Sequence, residues 1–172
     1  TYRRMAADAV DAALDAYTFE DRARFGASNT KEPLNPKASA EALEAARRQV
    51  DDFAFENKLG RDAVMLLVER HALEIKDLLK FDPGPTHTDD ERVFVMEAHH
   101  AVRETMCDSL VDFYFRRVPL FLSRADHGLP LLSKIGRAFQ QELGWSEEQR
   151  QQQNKRLQEQ IAKDLLWKNE KY

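Results

Sequence analysis

The chain has 172 residues, which is enough for one compact domain and within the size at which a single core suffices. Its 26 Lys and Arg residues and 30 Asp and Glu residues are interspersed, so it lacks the basic stripe that tracks a phosphate backbone. We therefore expect no nucleic-acid partner. The single cysteine, Cys107, cannot form an internal disulfide, which suits a reducing compartment and predicts a small buried apolar residue.

The start of the chain favours a cytoplasmic segment cut from a longer protein. Residues from Thr1 to Ala6 already have helical character, without an initiator methionine or the basic-then-apolar order of a signal peptide. No apolar run approaches the roughly 20 residues that a membrane span needs. We therefore expect a soluble segment.

Apolar residues recur at three- and four-residue steps over residues 2 to 17, which predicts an amphipathic first helix. Residues 18 to 38 are rich in Gly, Pro, Ser and Asn without periodicity and predict a long surface loop. Ser39 suits the N-cap of the next helix, and Gly60 interrupts the pattern. The helical period then resumes and continues to the Asp82-Pro-Gly-Pro85 turn, because proline removes a backbone donor and restricts the residue before it.

Two later helices are predicted to open with capping boxes, at Thr88 to Glu91 and at Ser146 to Gln149. Asp108 or Ser109 is expected to begin a helix that carries aromatic residues inward, with Pro119 at its end or at a new first turn.

Gly144 suits a left-handed C-cap, and the last helix is expected to dock by Leu157, Ile161 and Leu165 alone. No segment shows the sustained alternation of a strand. Residues 1–172 are thus predicted to be a single all-α domain, an irregular orthogonal bundle of about six to eight helices.

Glu97 and His100 stand at i and i+3 of one helix, as in half of a di-iron site. Such a centre needs two Glu-x-x-His pairs, and this is the only one in the chain. His71 with Glu74 could lend a stray ligand, but the sequence does not show that the groups converge. We therefore expect no bound metal, with His99 and His100 on a solvated or interdomain helix face.

Residues for other catalytic chemistry are missing from the sequence. Cys107 lacks activating neighbours, no serine lies in a GxSxG elbow, and the six glycines are scattered singly, which excludes a glycine-rich phosphate loop. We expect no catalytic residue in this chain. The Arg116-Arg117 pair suits the negative end of a helix dipole, and the alternative is an ion pair with a neighbouring domain or helix.

Six features of the sequence belong together: Thr1-Tyr-Arg-Arg-Met-Ala6, Glu97, Ala101-Val-Arg-Glu-Thr-Met106, Leu110-Val-Asp112, Arg116-Arg117 and Glu142-Leu-Gly-Trp145. They resemble the C-terminal helical domain of the FAD-dependent glycerol-3-phosphate dehydrogenases and α-glycerophosphate oxidases. The resemblance covers the first 17 residues and about 91 to 150. The chain departs from the family at Arg70-His71-Ala72, where an Arg-Tyr-Gly break is usual, and at Val118, where threonine is common. The turn at Ala72 is therefore expected to be either a kink or a continuous helix.

The resemblance implies an enzyme of glycerol metabolism whose flavin takes hydride from C2 of sn-glycerol 3-phosphate, giving dihydroxyacetone phosphate, and passes electrons to quinone or oxygen. It implies that a missing N-terminal domain binds FAD, with only Thr1 of this chain near the flavin. This chain is then a non-catalytic helical cap, inactive alone. The candidates for structural or interdomain contacts are Glu97, Arg103, Asp112, Arg116 and Arg117.

The implied partners are the chain's own N-terminal FAD domain, a second copy in a homo-oligomer, and the inner membrane through peripheral contact of the parent enzyme. An alternative from another class is a stand-alone helical protein-interaction module, with the acidic first helix and the Gln-rich last helix as docking faces. A GxGxxG domain encoded upstream of Thr1 would separate the two.

Overall fold

The computed structural model describes residues 2–25, 35 and 37–169, with the backbone alone at 168 and 169. The chain divides into two compact units, Thr1–Ala42 and Leu43–Tyr172, each described here by itself. The described residues contain no strand, and 76% of the structure is helical, which confirms the all-α prediction. Seven α-helices in this part of the chain have seven or more residues. That both units form one C-terminal domain stays a prediction.

The first unit contains helix α1 (Tyr2–Leu14) and a single turn, α2 (Phe19–Arg22). Thr18 caps α2 by accepting the backbone N–H of Asp21 at 3.2 Å. The segment 18–38, predicted as a loop, therefore begins with a short helix, and 26–34 and 36 lie outside the described residues. No residue of α1 is buried, although its apolar residues have helical spacing.

Ser39 accepts the backbone N–H of Ala42 at 3.2 Å and so caps α3 (Ala40–Arg48), as predicted. The helix breaks at Gln49 before α4 (Val50–Asn57), and Gly60 then precedes α5 (Arg61–His71). The Gly60 N–H donates to Asp89 Oδ2 at 3.0 Å. A Cβ at Gly60 would stand 2.2 Å from that oxygen, so a larger residue here would require the Asp89 side chain to move and give up this hydrogen bond.

The helix from Arg61 does not run on to the proline turn. Ala72 takes φ +51° and ψ −111°, a conformation that side chains with a Cβ disfavour, and this ends α5. Short 3₁₀ turns then flank α6 (Ile75–Leu78). The departure from the family at this position is thus a sharp break without a glycine, and a continuous helical run was the wrong expectation.

Helix α7 (Asp89–Thr105) lies at the centre of the second unit. Its capping box is confirmed, since Thr88 N–H donates to Glu91 Oε2 at 3.1 Å and the Thr88 hydroxyl accepts the Glu91 N–H. Every residue from 92 to 98 is buried, so α7 is enclosed on nearly all sides. The guanidinium of Arg92 is satisfied inside, by Asp82 and by the carbonyl oxygens of Asn57 and Lys58.

Ser109 caps the next segment, which starts as α8 (Leu110–Asp112) and widens into a π turn at Phe113–Arg117. The Val118 N–H donates to the Phe113 carbonyl at 2.9 Å, five residues back. The residues predicted to point inward, Leu110, Phe113 and Tyr114, are all fully buried.

Helix α9 (Leu120–Ser123) follows Pro119, and α10 (Leu132–Leu143) ends at Gly144 in the predicted left-handed conformation, φ +66°. Ser146 and Gln149 form the second capping box at the start of α11 (Glu147–Asp164). Leu157 and Ile161 are buried and Leu165 is half-buried, which confirms the docking stripe. Among the described helices, none combines the length and apolar character of a bilayer span.

Candidate functional site

The carboxylate of Glu97 is fully buried at the point where α7 meets the end of α5. Arg70 Nη1 donates to both of its oxygens at 3.0 Å, and His71 Nε2 lies 2.9 Å from Oε1. A buried carboxylate is costly without hydrogen-bond partners, and these two side chains supply them. Of the two predicted roles of Glu97, structural and interdomain, the structure therefore shows the structural one.

His100 lies one turn further along α7 and completes a larger cluster. Its Nε2 is 3.0 Å from Glu74 Oε2, and its ring meets that of His71 edge-on, with centroids 5.0 Å apart. One ligand atom each from His71, Glu74 and His100 can be chosen so that all three lie within 4.8 Å of one another. The convergence that the sequence could not show thus exists, although no ion is present to test the expectation of no metal.

The prediction that His99 and His100 lie on an exposed helix face is wrong. His100 is only 4% exposed, and the His99 ring stacks on Phe81 with centroids 5.3 Å apart. The physical reason is the position of α7, which has α5 and α6 on one side and α10 on another. No side of α7 is left for a solvated imidazole at this level.

A pocket of about 230 Å³ opens beside the cluster. The end of α5, the middle of α7 and the tandem arginines after α8 all contribute to its wall. Its lining residues are His71, Glu74, Glu97, His100, Ala101, Thr105, Arg116, Arg117 and Val118. The structure thus brings Glu97, Arg116 and Arg117, three of the five predicted contact residues, to one place.

Arg103 belongs to a separate group between α7 and α10. Its Nε donates to Glu142 Oε2 at 2.8 Å, its guanidinium stacks on Phe81, and His99 Nδ1 lies 2.6 Å from the other Glu142 oxygen. The hydrogen bond from Arg103 is the main reason why the pKa of Glu142 is lowered, with His99 adding to it. Arg103 thus links two helices of the same unit.

Asp112 binds both arginines of the tandem pair. Arg116 Nη1 donates to Oδ1 at 3.1 Å and Arg117 Nε donates to Oδ2 at 2.8 Å. Burial alone would raise the pKa of Asp112, but the hydrogen bonds from Arg117 and Arg116 outweigh it and lower that pKa. Both arginines therefore lie at the end of their helical segment and pair with a carboxylate of that same segment. Their contact with another domain stays a prediction.

Cys107 is 1% exposed, which confirms the expected buried residue. Burial raises the pKa of its thiol to about 12, and Sγ lies 3.6 Å from the Ser109 carbonyl. A thiol held in its neutral form is a poor nucleophile.

The described residues do not contain a dinucleotide-binding turn. A dinucleotide-binding turn joins a strand to a helix through clustered glycines, and no strand occurs in the part of the chain that the structure describes. Thr1, the tentative flavin contact, lies outside the described residues.

The sequence did not reveal the roles of Arg70 and Glu142. Arg70 binds Glu97 of α7, and Glu142 binds His99 and Arg103 of the same helix. Sequence reasoning also underrated His71 and Glu74, because it looked only for a second Glu-x-x-His pair. His71-x-x-Glu74 is the reversed order of Glu97-x-x-His100. Only the second pair lies within one helix, because the backbone breaks at Ala72. That reversed spacing was the available signal.

Comparison with protein-family models matches residues 27–150, well over half of the chain, to the C-terminal domain of alpha-glycerophosphate oxidase. No curated protein and no solved structure matches the chain. The family match confirms the resemblance carried by the motifs around α7 and Trp145. The chain therefore belongs to the family of C-terminal domains of alpha-glycerophosphate oxidase.

Proposed function

We propose that this chain is the non-catalytic C-terminal helical domain of an FAD-dependent enzyme that oxidises sn-glycerol 3-phosphate to dihydroxyacetone phosphate, with quinone or oxygen as the electron acceptor. The observation that carries the proposal is the family match over residues 27–150. The family supports a flavin-dependent oxidoreductase as the parent protein.

The chemistry of the described residues is consistent with a supporting domain. Its charged side chains of lowest exposure, such as Glu97 and Arg92, are held by hydrogen bonds to their own unit. Cys107 is a neutral buried thiol. Substrate oxidation and hydride transfer are therefore assigned to the flavin domain, and the contribution of this chain is a scaffold on which that domain rests.

We propose that the apolar side of α1 is the part of the first unit that contacts the flavin domain. Tyr2, Met5 and Val10 share this side and are 75%, 70% and 49% exposed. A helix of this length is marginal in water and derives most of its stability from packing of its apolar side. Burial against the flavin domain would supply that packing.

The test uses the full-length protein. We expect it to carry a flavin, and we expect sn-glycerol 3-phosphate to bleach the flavin absorbance under anaerobic conditions, with sn-glycerol 1-phosphate as the matched control substrate. Reoxidation by oxygen, with hydrogen peroxide formed, or by a quinone analogue identifies the acceptor. Residues 1–172 expressed alone are expected to be colourless.

A full-length protein without flavin, or without a GxGxxG domain before Thr1, would instead support the protein-interaction module. A flavin that only another substrate reduces would overturn the assigned substrate. For the docking side, Met5→Asp is expected to increase flavin loss from the full-length protein on dilution. Asp11→Asn, on the other side of α1, serves as its control.

A further inference from the structure

We propose that His71, Glu74 and His100 form a binding site for a single Zn²⁺ ion at the junction of α5 and α7. Two imidazoles and one carboxylate are the ligands that Zn²⁺ uses in sites with three protein ligands and an open fourth position. Their ligand atoms already lie within 4.8 Å of one another. The inference does not depend on the proposed enzymatic function.

The distances are close to those that a zinc ion requires. In a tetrahedral site with bonds of about 2.0 to 2.2 Å, ligand atoms stand about 3.3 Å apart. The pair His100 Nε2 and Glu74 Oε2, at 3.0 Å, already has this spacing. The ligand atom of His71 lies within 4.8 Å of the other two, so the gap to be closed is at most about 1.5 Å. The Glu74 side chain, which is 57% exposed, can move to close it.

Glu97 gives the site the second layer of contacts that metal-binding histidines usually have. It lies fully buried with its Oε1 at 2.9 Å from His71 Nε2, which leaves the other ring nitrogen, Nδ1, for the ion. Arg70 also donates to this carboxylate. A carboxylate bound to one ring nitrogen sets the orientation and tautomer of the imidazole. His71 is therefore held before any ion arrives.

The pocket of about 230 Å³ leaves room for the fourth ligand. Near the site, Glu97 pairs with Arg70, and Asp112 pairs with Arg116 and Arg117. Together with Glu74 these groups carry three negative and three positive charges. A bound Zn²⁺ would therefore give the site and these neighbouring groups a net positive charge. The fourth ligand is therefore an anion, or a water molecule that readily loses a proton.

The test measures Zn²⁺ binding to the purified full-length protein after chelation and dialysis, by competition with a chromophoric chelator and by metal analysis. We expect stoichiometric binding, and we expect Glu74→Gln to weaken it at least about tenfold, in line with losses at other zinc sites. Glu104→Gln, which changes an exposed carboxylate on α7, the helix that carries His100, is the matched control and should bind like the wild type. Co²⁺ provides a spectroscopic readout of tetrahedral ligands.

Because Glu74 is largely exposed, its substitution leaves the fold intact, and an unchanged unfolding temperature without metal verifies this. His71→Gln is expected to abolish the Co²⁺ bands. Absence of Zn²⁺ binding by the wild-type protein would overturn the proposal. So would equal affinities of the wild type and Glu74→Gln, because the ion would then lie elsewhere.

Discussion

Arg70 donates two hydrogen bonds from one nitrogen to the carboxylate of Glu97, 27 residues further along the chain. The carboxylate is fully buried, while the arginine side chain is 24% exposed and also stacks near Phe94. This pair links the end of α5 to the centre of α7. It therefore fixes the position of α5 relative to α7 inside the second unit.

Replacing Arg70 by methionine should leave the Glu97 carboxylate with only His71 as partner. We expect the free energy of unfolding to fall by about 3 kcal/mol, because an uncompensated buried charge is costly. Chemical denaturation measures the change. The same substitution at Arg47, whose pair with Glu44 is half exposed, should cost less than about 1 kcal/mol. Equal losses at the two sites would contradict this account.

Ala72→Gly should stabilise the protein. Ala72 has φ +51° and ψ −111°, where glycine has no Cβ to clash, and the relief exceeds the extra freedom that glycine gives the unfolded chain. We expect the free energy of unfolding to rise by about 1 kcal/mol. Ala63→Gly, inside α5, should lower it by about 1 kcal/mol. A loss of stability at both positions would exclude strain at Ala72.

Glu142 should make the stability of the protein depend on pH below neutrality. Its pKa in the folded state is lower than the ordinary 4.5, mainly through the hydrogen bond from Arg103. The stability that the ionised Glu142 contributes is therefore complete above the ordinary pKa of 4.5, and it is lost as the pH falls through the lowered folded-state pKa. The stability difference between the wild type and Glu142→Gln should shrink on acidification, which denaturation at several pH values measures. A difference that stays constant from pH 7 to pH 3 would argue against the ion pair.

Cys107 should react slowly with thiol reagents in the folded protein. Burial raises the pKa of its thiol from 9.0 to about 12, so at pH 8 its thiolate fraction falls by a factor of about 1,000. Restricted access lowers the rate further. Alkylation followed by mass spectrometry, with and without denaturant, measures the ratio. Rapid labelling of the native protein would show that Cys107 is accessible.

Local signals in the sequence predicted the helix ends well. The boxes at Thr88 and Ser146 and the glycine cap at Gly144 depend on residues three or four positions apart, so their chemistry is readable without the fold. The break at Ala72 could not be read in this way. Alanine is a good helix former, so the positive φ of Ala72 runs against its local preference.

The polar interior could be predicted only in part. Glu97 and His100 were recognisable as a pair, but seven consecutive buried residues from 92 to 98 erase the contrast between an inner and an outer face of α7. The partners Arg70 and Glu74 lie 26 or 27 residues away. Their approach depends on the fold of the segment from 72 to 81, whose 3₁₀ turns have no simple sequence signature.

The π turn at Phe113–Arg117 has a consequence for how this domain can change in length. An extra residue in an α-helix rotates everything beyond it by about 100°, which would move buried side chains to the surface. A π turn takes up one additional residue within a single turn. The ring of Phe113 and the start of α9 can therefore keep their places in a homologous chain that is one residue shorter here.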